Sequence, residues 1–342
     1  MSVFSHPEFD SHLRVTHVTD PDSGLVAIHA IHRSIGGRSG GGIRFRPYAT
    51  EGDALTDVLR LSRAMSNKFA LAGIPVGGAK SVIIGDPATL KTPALLAAFG
   101  RFIDGLQGLY IGGPDIGTNA DDMVELARTT PYVAGRADQS GSTAVPTALG
   151  CFAGLQATVR AAFGRDEFHG LRIAIQGVGG VGGELARMLV DRGAEVLVAD
   201  VDSAALRQMA PLGVRIIAPE AILSADVDIL SPNAMGAILS AQTVPTIRAR
   251  AICGCANNQL ATPEVAHLLT ERGILWAPDY VVSAGGAIDG CKDAGILSAE
   301  ERDARIAGIG TTLTTIFDLA TRGNTTTEAA AQALARDAVE NV

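Results

Sequence analysis

The sequence predicts an α/β protein whose second half is a doubly wound parallel sheet, and three observations lead there. Ile173 and Ile175 alternate with polar or small neighbours, as a strand does, at the head of the run LRIAIQGVGGVGGELARMLVDRGAEVLVADVD (171–202). Gly177, Gly179 and Gly182 then follow in G-x-G-x-x-G spacing, before a helical pattern from Glu184 to about Arg192 that Gly193 ends. Downstream, strand-like runs at 214–217, 227–230, 251–254 and 274–277 alternate with helical or loop segments, the pattern of a parallel sheet covered by helices.

A glycine triplet alone means little in a chain with 40 glycines. Between a strand and a helix, with Asp200 closing the next strand (195–199), it reads as a dinucleotide-binding turn. Gly177 permits the tight turn, Gly179 lets the backbone approach a pyrophosphate, and Gly182 lets helix and strand pack. The pyrophosphate meets free N–H groups at the positive end of the helix dipole. Asp200 either accepts hydrogen bonds from the adenosine ribose or caps the strand end. In the first role its charge repels a 2′-phosphate and favours NAD over NADP.

The first half is expected to be α/β as well. Residues 13–17 and 25–32 alternate in polarity around Pro21–Gly24, as a hairpin or meander. The Gly-rich run 37–50 reads as a loop or short strand that comes close to something small. Ala54, Leu55, Val58, Leu59, Leu61, Ala64 and Met65 recur at helical spacing from Glu51 to about Phe69, with Thr50 placed to cap that helix and Lys68 at its end. VIIGDP looks like a buried strand ending in a turn, with Gly77 and Gly78 freeing the backbone beside Lys80. Helical patterns follow at 93–107, after Asn119 and from about Pro146 to Gly164, and the last spans roughly 299–322 and continues past Gly323. Three domains are expected: 1–140, 141–325 and a C-terminal helix at 326–342.

Composition narrows the function. The chain has 342 residues, 47% of them hydrophobic and 19% charged, as in globular proteins. A net charge of −8 without a basic run argues against nucleic acid. MSVFSHPEFDSH is not a secretory leader, and no apolar run approaches a membrane span. The four cysteines lack C-x-x-C spacing, Cys253 and Cys255 read as buried thiols, and the seven histidines do not cluster, so no metal is expected. A cytoplasmic protein is the reading.

Lys68, Lys80 and Asp115 each stand beside glycines at an element end. A lone lysine is ordinarily a solvated surface charge. Lys80, however, lies among Ile74, Val76, Gly77, Gly78, Ala79, Val82 and Ile83, and a buried ammonium tends toward a depressed pKa and a role as base. Asp115, between Gly113-Pro114 and Gly117, is either a turn-forming residue or an acid in a cleft.

The run IPVGGAKSVIIGDP, with GGGIRF at 40–45, SNKFALAG at 66–73, GPDIGT at 113–118, GVGGVG at 177–182, ANNQL at 256–260 and APDYVVSAGGAI at 277–288, resembles the glutamate/leucine/phenylalanine/valine dehydrogenase family. The likeness spans about 13–320 and is greater to the leucine and phenylalanine branch. It implies an N-terminal α/β substrate domain and a Rossmann NAD-binding domain with a closing cleft between them. The implied reaction is reversible oxidative deamination of an L-amino acid to a 2-oxo acid and ammonium, by a homo-oligomer. By resemblance, Lys68 binds the substrate carboxylate, Lys80 is the base that activates water, and Asp115 shuttles a proton at the amine. Asn258 belongs to the substrate set, with Gly41 and Gly42 adding to the wall. Thr147, Asn257 and Ala256 fall at the nicotinamide end of the cofactor, while Gly180, Val181 and Val201 extend the dinucleotide set around Gly177, Gly179, Gly182 and Asp200.

Glutamate enzymes of the family carry a lysine where this chain has Gly40, so the resemblance implies an apolar pocket, lined by Gly40, Met65, Gly113, Ala287 and Ile288. Gly113 and Ala287 replace bulkier residues of leucine enzymes, which favours phenylalanine or another bulky apolar amino acid over leucine and valine. A catalytically silent NAD-binding sensor is the reading from another class. A hydroxy-acid dehydrogenase needs a His or Lys base with an Arg clamp, and no His lies in a comparable loop. Two departures stand out: Ser283 replaces the family's asparagine before Ala-Gly-Gly, and Gly112-Gly113 precede Pro114-Asp115.

Overall fold

A computed structural model describes residues 3–139 and 142–340 of the chain. Two compact units divide it: Met1–Thr143 with Asp289–Arg302 and Ala335–Val342, and Ala144–Ile288 with Asp303–Leu334. The expected boundary at 140/141, and residues 1, 2, 341 and 342 at the ends of the expected domains, lie outside the described residues. Residues 289–302, expected with the nucleotide-binding half, belong to the first unit.

The first unit holds a five-stranded mixed sheet in the order β1-β2-β4-β3-β5, with strands Arg14–Asp20, Leu25–Ile31, Ser39–Arg46 (β3), Gly77–Ile84 (β4) and Tyr110–Pro114 (β5). β1, β2 and β4 pair antiparallel, whereas β3 runs parallel to both β4 and β5. Helix α1 (Glu51–Leu71) starts in a capping box. The Thr50 side chain accepts from the Asp53 N–H, and the Asp53 carboxylate accepts from the Thr50 N–H. The short α2 (Pro87–Leu90), α3 (Pro93–Asp104) and α4 (Ala120–Leu126) follow, α4 with Asn119 as its cap.

Alternation along the strands sorts side chains to two faces. Ile28, Ala30 and Val82 pack with Ala54, Val58 and Leu59 of α1. Ile31, Ile43, Phe45, Ala79 and Ile83 pack with Phe99 and Ile103 of α3 and Met123 of α4. Gly42, Arg44 and Lys80, one residue out of step with Ile43, Phe45 and Ala79, therefore belong to the α1 face.

The run 37–50, expected as a loop or short strand, contains the eight-residue interior strand β3. Its glycines persist there because side chains have no room. A Cβ on Gly41 would stand 1.8 Å from the Ala79 carbonyl oxygen. Gly77 and Gly78 begin β4 instead of freeing a loop before it. A Cβ on Gly78 would meet the Ser66 nitrogen of α1 at 2.0 Å, and one on Gly77 the Arg33 carbonyl at 2.0 Å. These two glycines let helix and chain lie tight against the sheet.

In the second unit six parallel strands run in the order β11-β10-β9-β6-β7-β8. They are Arg172–Gln176 (β6), Glu195–Ala199 (β7), Arg215–Ile216 (β8), Ile229–Pro232 (β9), Ala251–Ile252 (β10) and Leu275–Trp276 (β11). Helix α5 (Ala144–Phe163) precedes β6, helices α6 (Gly180–Asp191), α7 (Ser203–Met209) and α8 (Val265–Glu271) lie between strands, and α9 (Asp279–Val282), α10 (Gly285–Asp293), α11 (Ala299–Gly323) and α12 (Thr327–Glu340) follow β11. Helix α6 begins at Gly180, four residues before the expected start, because Gly182 and Gly183 form its first turn. The order places β6 centrally, with the crossover to β9 on one side and to β7 on the other. That reversal is the topological switch point where doubly wound sheets bind ligands. Among the described residues no helix is long and apolar enough to cross a membrane.

Candidate active site

Two candidate centres stand on these sheets, one in each unit. In the first, the Lys80 ammonium lies 2.9 Å from Asp115 Oδ2, and Arg44 Nε donates to the same oxygen at 2.7 Å. Only 6% of the Lys80 side chain is exposed, against 21% for Asp115. Gly42 makes this approach possible: a Cβ there would stand 2.7 Å from Lys80 Nζ and 2.8 Å from the Asp115 Cβ. Any side chain at position 42 would wedge the pair apart.

The loop carrying Asp115 is tied to β3. The Asp115 N–H donates to Thr118 Oγ1 at 2.9 Å, and that hydroxyl donates to the Ile43 carbonyl at 2.7 Å. Gly117, at φ +81, brings its backbone against Phe45, where a Cβ would lie 1.7 Å from the Phe45 carbonyl oxygen. Behind Asp115 the charges continue. Arg44 Nη1 donates to both oxygens of Asp57 at 3.0 and 3.3 Å, and the Tyr48 hydroxyl donates to Asp57 at 2.7 Å. Two carboxylates thus face two cations in a poorly solvated pocket, which satisfies charges that would each cost several kcal/mol if buried alone.

The titration directions follow. Burial depresses Lys80 below its ordinary range and outweighs the opposing pull of Asp115. Burial would raise Asp115, but Lys80 and Arg44 together hold it below the usual carboxylate value. Burial would lower Arg44, and Asp115 with Asp57 more than offset it. Lys80 is thus biased toward giving up its proton beside a carboxylate biased toward staying ionised.

Lys68 and Met65 lie three residues apart on α1, and hence on one side of that helix, both half-buried. Gly40 is buried; a Cβ there would meet the Phe69 ring at 3.3 Å and Val76 at 3.6 Å. A side chain at 40 would press its Cβ against the Phe69 ring, which would have to give by a few tenths of an ångström. Gly113 differs: a Cβ there would find only the Ala134 carbonyl, at 3.9 Å. The neighbouring Gly112 faces the Ile43 side chain at 2.8 Å.

The second centre is the turn after β6. Gly177 adopts φ +85, and a Cβ on it would meet Ala234 at 2.6 Å. A Cβ on Gly182 would stand 1.9 Å from the Gly177 carbonyl oxygen, so helix and turn could not close. Gly179 is exposed, and a Cβ there would meet no protein atom within 4 Å. The protein itself needs glycine at 177 and 182, whereas no protein neighbour requires it at 179. Gly179 caps α6 with no side-chain hydrogen bond, leaving the first N–H groups, from Gly180 and Val181 onward, uncapped by any side chain. Asp200 Oδ2 accepts from the Val178 N–H at 2.7 Å and Oδ1 from the Asp202 N–H at 2.9 Å. The capping role is therefore present, and each oxygen retains acceptor capacity. Val201 beside it is 92% exposed. The turn fits a dinucleotide: open glycine, uncapped helix end and an acid at the adjacent strand end.

Asn257 and Asn258 are exposed on the loop after β10, and Ala256 is buried. Asn258 takes a positive φ of 54, and its carbonyl accepts from the Ala237 N–H at 2.6 Å. Ser283, the departure from the family's asparagine, donates from Oγ to Asn257 Oδ1 at 3.3 Å. Thr147 lies in α5, where its carbonyl receives the Cys255 thiol at 3.7 Å. Ala287 is half-buried and Ile288 fully buried in α10. All four cysteines are free and buried. Among the described residues no group of three or more His, Cys, Asp or Glu is arranged to hold a metal ion.

Sequence reasoning assigned no role to Arg44, Asp57, Tyr48 or Thr118. A signal existed for Arg44: a charged residue between Ile43 and Phe45, in step with Gly42 on the same strand. Nothing local marks Asp57 among the other polar positions of α1.

Two family models match the chain. Residues 12–132 match the Glu/Leu/Phe/Val dehydrogenase dimerisation domain, and residues 201–290 the glutamate/leucine/phenylalanine/valine dehydrogenase model. The leucine dehydrogenase of Geobacillus stearothermophilus is 38% identical, covering 100% of this chain and 94% of that protein. The phenylalanine dehydrogenase of Lysinibacillus sphaericus is 43% identical over 81% of this chain and 75% of that protein. The crystal structure of L-tryptophan dehydrogenase from Nostoc punctiforme superposes with a TM-score of 0.87 at 37% identity, covering 96% of each chain. The chain belongs to the glutamate/leucine/phenylalanine/valine dehydrogenase family, in its leucine/phenylalanine branch.

Proposed function

We propose that this amino acid dehydrogenase catalyses the reversible, NAD-dependent oxidative deamination of a bulky apolar L-amino acid, phenylalanine or one of similar size, to its 2-oxo acid and ammonium. The observation that carries the reading is the buried Lys80–Asp115 pair, 2.9 Å apart, admitted by a glycine at 42.

The chemistry NAD supplies when bound is acceptance of the hydride from the substrate α-carbon. Gly177, Gly179, Gly180, Val181 and Gly182 would hold its pyrophosphate, Asp200 and Val201 its adenosine, and Thr147, Ala256 and Asn257 its nicotinamide end. Asp200 supports NAD over NADP, since a carboxylate opposes a 2′-phosphate. Lys68 binds the substrate carboxylate and fixes its orientation. Lys80, neutral, takes a proton from the water that attacks the imine carbon. Asp115 passes a proton to and from the substrate nitrogen. Each acid–base role is worth about 10²–10⁴-fold in rate.

For the side chain, the family resemblance assigns Gly40, Met65 and Gly113 of the first unit and Ala287 and Ile288 of the second to the apolar set, and Asn258 to the substrate contacts. Gly40 supports an apolar substrate, because that position supplies no cation for a second carboxylate and packs against the Phe69 ring instead. The open space at Gly113 supports a large one. A tryptophan and a phenylalanine enzyme among the relatives agree with that size. The leucine reading is favoured by a leucine dehydrogenase that matches the whole chain. A homo-oligomer accords with the dimerisation model matched by residues 12–132.

The test is NADH formation by the purified protein across a panel of L-amino acids, with NADP as a second oxidant and Lys80→Ala alongside. Phenylalanine or tryptophan turned over well above leucine and valine supports the reading. A leucine preference removes the pocket argument but keeps the mechanism. NADH binding without turnover of any amino acid points to the silent sensor.

A further inference from the structure

The second unit carries a cluster of cations at the opposite end of its strands from the glycine turn. In a parallel sheet the carboxyl ends of the strands face the dinucleotide crevice. Residues 224, 245–250 and 272–274 instead precede β9, β10 and β11, at their amino ends. There a cavity of about 580 Å³ is lined by Ser224, Thr246, Arg248, Arg250, Arg272 and Gly273, among others. Its lining includes three guanidiniums and no carboxylate.

Among the described residues none of the three arginines forms an ion pair. Arg250 Nη2 donates to the Ala162 carbonyl at 2.8 Å and its guanidinium lies 4.7 Å from the centre of the Phe163 ring. Arg272 Nη1 donates to the Val244 carbonyl. These contacts hold the two side chains in place without a carboxylate partner, and both residues, like Arg248, are exposed to solvent. Arg248 is exposed and makes no hydrogen bond or ion pair among the described residues. The nearby acids Asp226 and Asp228 are taken by Arg172, at 2.8 and 3.6 Å. In a chain of net charge −8, three like charges gathered around one cavity repel each other, and an anion in that cavity relieves the repulsion. Guanidinium forks match phosphate oxygens two at a time, and the volume lies in the usual range for small-molecule sites.

We propose that this cavity binds a small molecule carrying two or more linked phosphoryl groups, at a site separate from the dinucleotide turn. The diphosphate is the chemistry recognised, whether free or part of a nucleotide.

The test is isothermal titration of the full chain with pyrophosphate, and separately with ATP, at low salt and in saturating NADH so that the glycine turn is filled. The expected result is binding that weakens as salt rises, and that falls about tenfold or more in Arg248→Glu, the loss of one charge-assisted contact. Arg248→Lys should retain most of it. Melting temperature and NADH affinity should stay unchanged in both variants, because Arg248 holds nothing in the fold. ATP binding more tightly than pyrophosphate assigns the diphosphate to a nucleotide; equal affinity assigns it to the free anion. No pyrophosphate or ATP binding in saturating NADH, or equal binding by wild type and Arg248→Glu, overturns the proposal.

Discussion

Lys80 and Asp115 are held by a network of protein partners, whereas the turn at 177–182 keeps its central glycine facing open space. At the first centre Arg44, Asp57, Tyr48 and Thr118 fix the charged groups before any substrate arrives. At the second, two glycines are required by close protein neighbours and one faces open space. The difference teaches what each chemistry demands. Proton transfer needs groups held in place with shifted pKa values, which requires burial and fixed neighbours. Pyrophosphate binding needs only exposed N–H groups and the absence of a side chain.

The largest effect should come from breaking the first centre. Lys80→Ala is expected to lower kcat for the preferred amino acid by at least about 10²–10⁴-fold, with NADH affinity by fluorescence titration unchanged. Equal losses in kcat and NADH affinity would show that the two centres are not built separately.

Next comes the support behind Asp115. Arg44→Gln leaves two carboxylates facing Lys80 without their shared cation, and breaking a buried charge network of this kind costs about 3–5 kcal/mol. Denaturant melts should detect that loss. A variant as stable as the parent would mean that water replaces the guanidinium without penalty.

The glycines sharpen the comparison at the second centre. Gly182→Val should destabilise the fold by about 1–3 kcal/mol or more, because its Cβ overlaps the Gly177 carbonyl. Gly179→Val should leave the melting temperature nearly unchanged but weaken NADH binding at least about tenfold. The reverse pattern would assign Gly179 to packing.

Pocket size is a finer matter. Gly113→Leu fills space that no protein atom occupies closely, and should shift the kcat/KM ratio from phenylalanine toward leucine by about 10–200-fold, the worth of 1–3 kcal/mol. An unchanged ratio would remove Gly113 from the substrate wall.

The smallest effect is a displacement in pH. Lys80 acts as a base only when neutral and its pKa lies below 10.5, so deamination should rise with pH along a limb centred below that value. Asp115 raises Lys80, so the residual activity of Asp115→Asn should show the limb moved to lower pH. For stability the sign runs the same way for both groups. Lys80, depressed on folding, binds fewer protons in the folded state, so stability gains as pH rises from its folded pKa to 10.5. Asp115, held below 3.8, contributes stability above that value and loses it as pH falls through its folded pKa.

Much of this architecture was legible in the chain. Capping by Thr50 and Asn119, the alternation in β6 and the glycine spacing at 177–182 are local patterns, and the elements formed where those patterns stand. The Gly-rich run at 37–50 left loop and short strand open, because glycine ordinarily argues against a strand, and the fold takes the strand. In β3 the cost is met by close neighbours, the Ala79 carbonyl and Lys80, which belong to the adjacent strand and cannot be read from the run itself. The early start of α6 was missed for the same reason: glycines read as turn were the helix's first turn.

The sequence by itself determined the alternation of strands and helices, the two glycine-marked centres, and the placing of Lys80 in an apolar stretch. All of these depend on residues within a few positions of one another. Only the tertiary structure decided which charges meet. Arg44 reaches Asp115 across 71 positions of chain, and Lys80 reaches it because β4 and β5 flank the same strand. It also decided which glycines the protein needs and which it leaves open at Gly179 and Gly113. The physical reason is that burial and Coulombic interaction depend on distance in space, and strand order sets that distance.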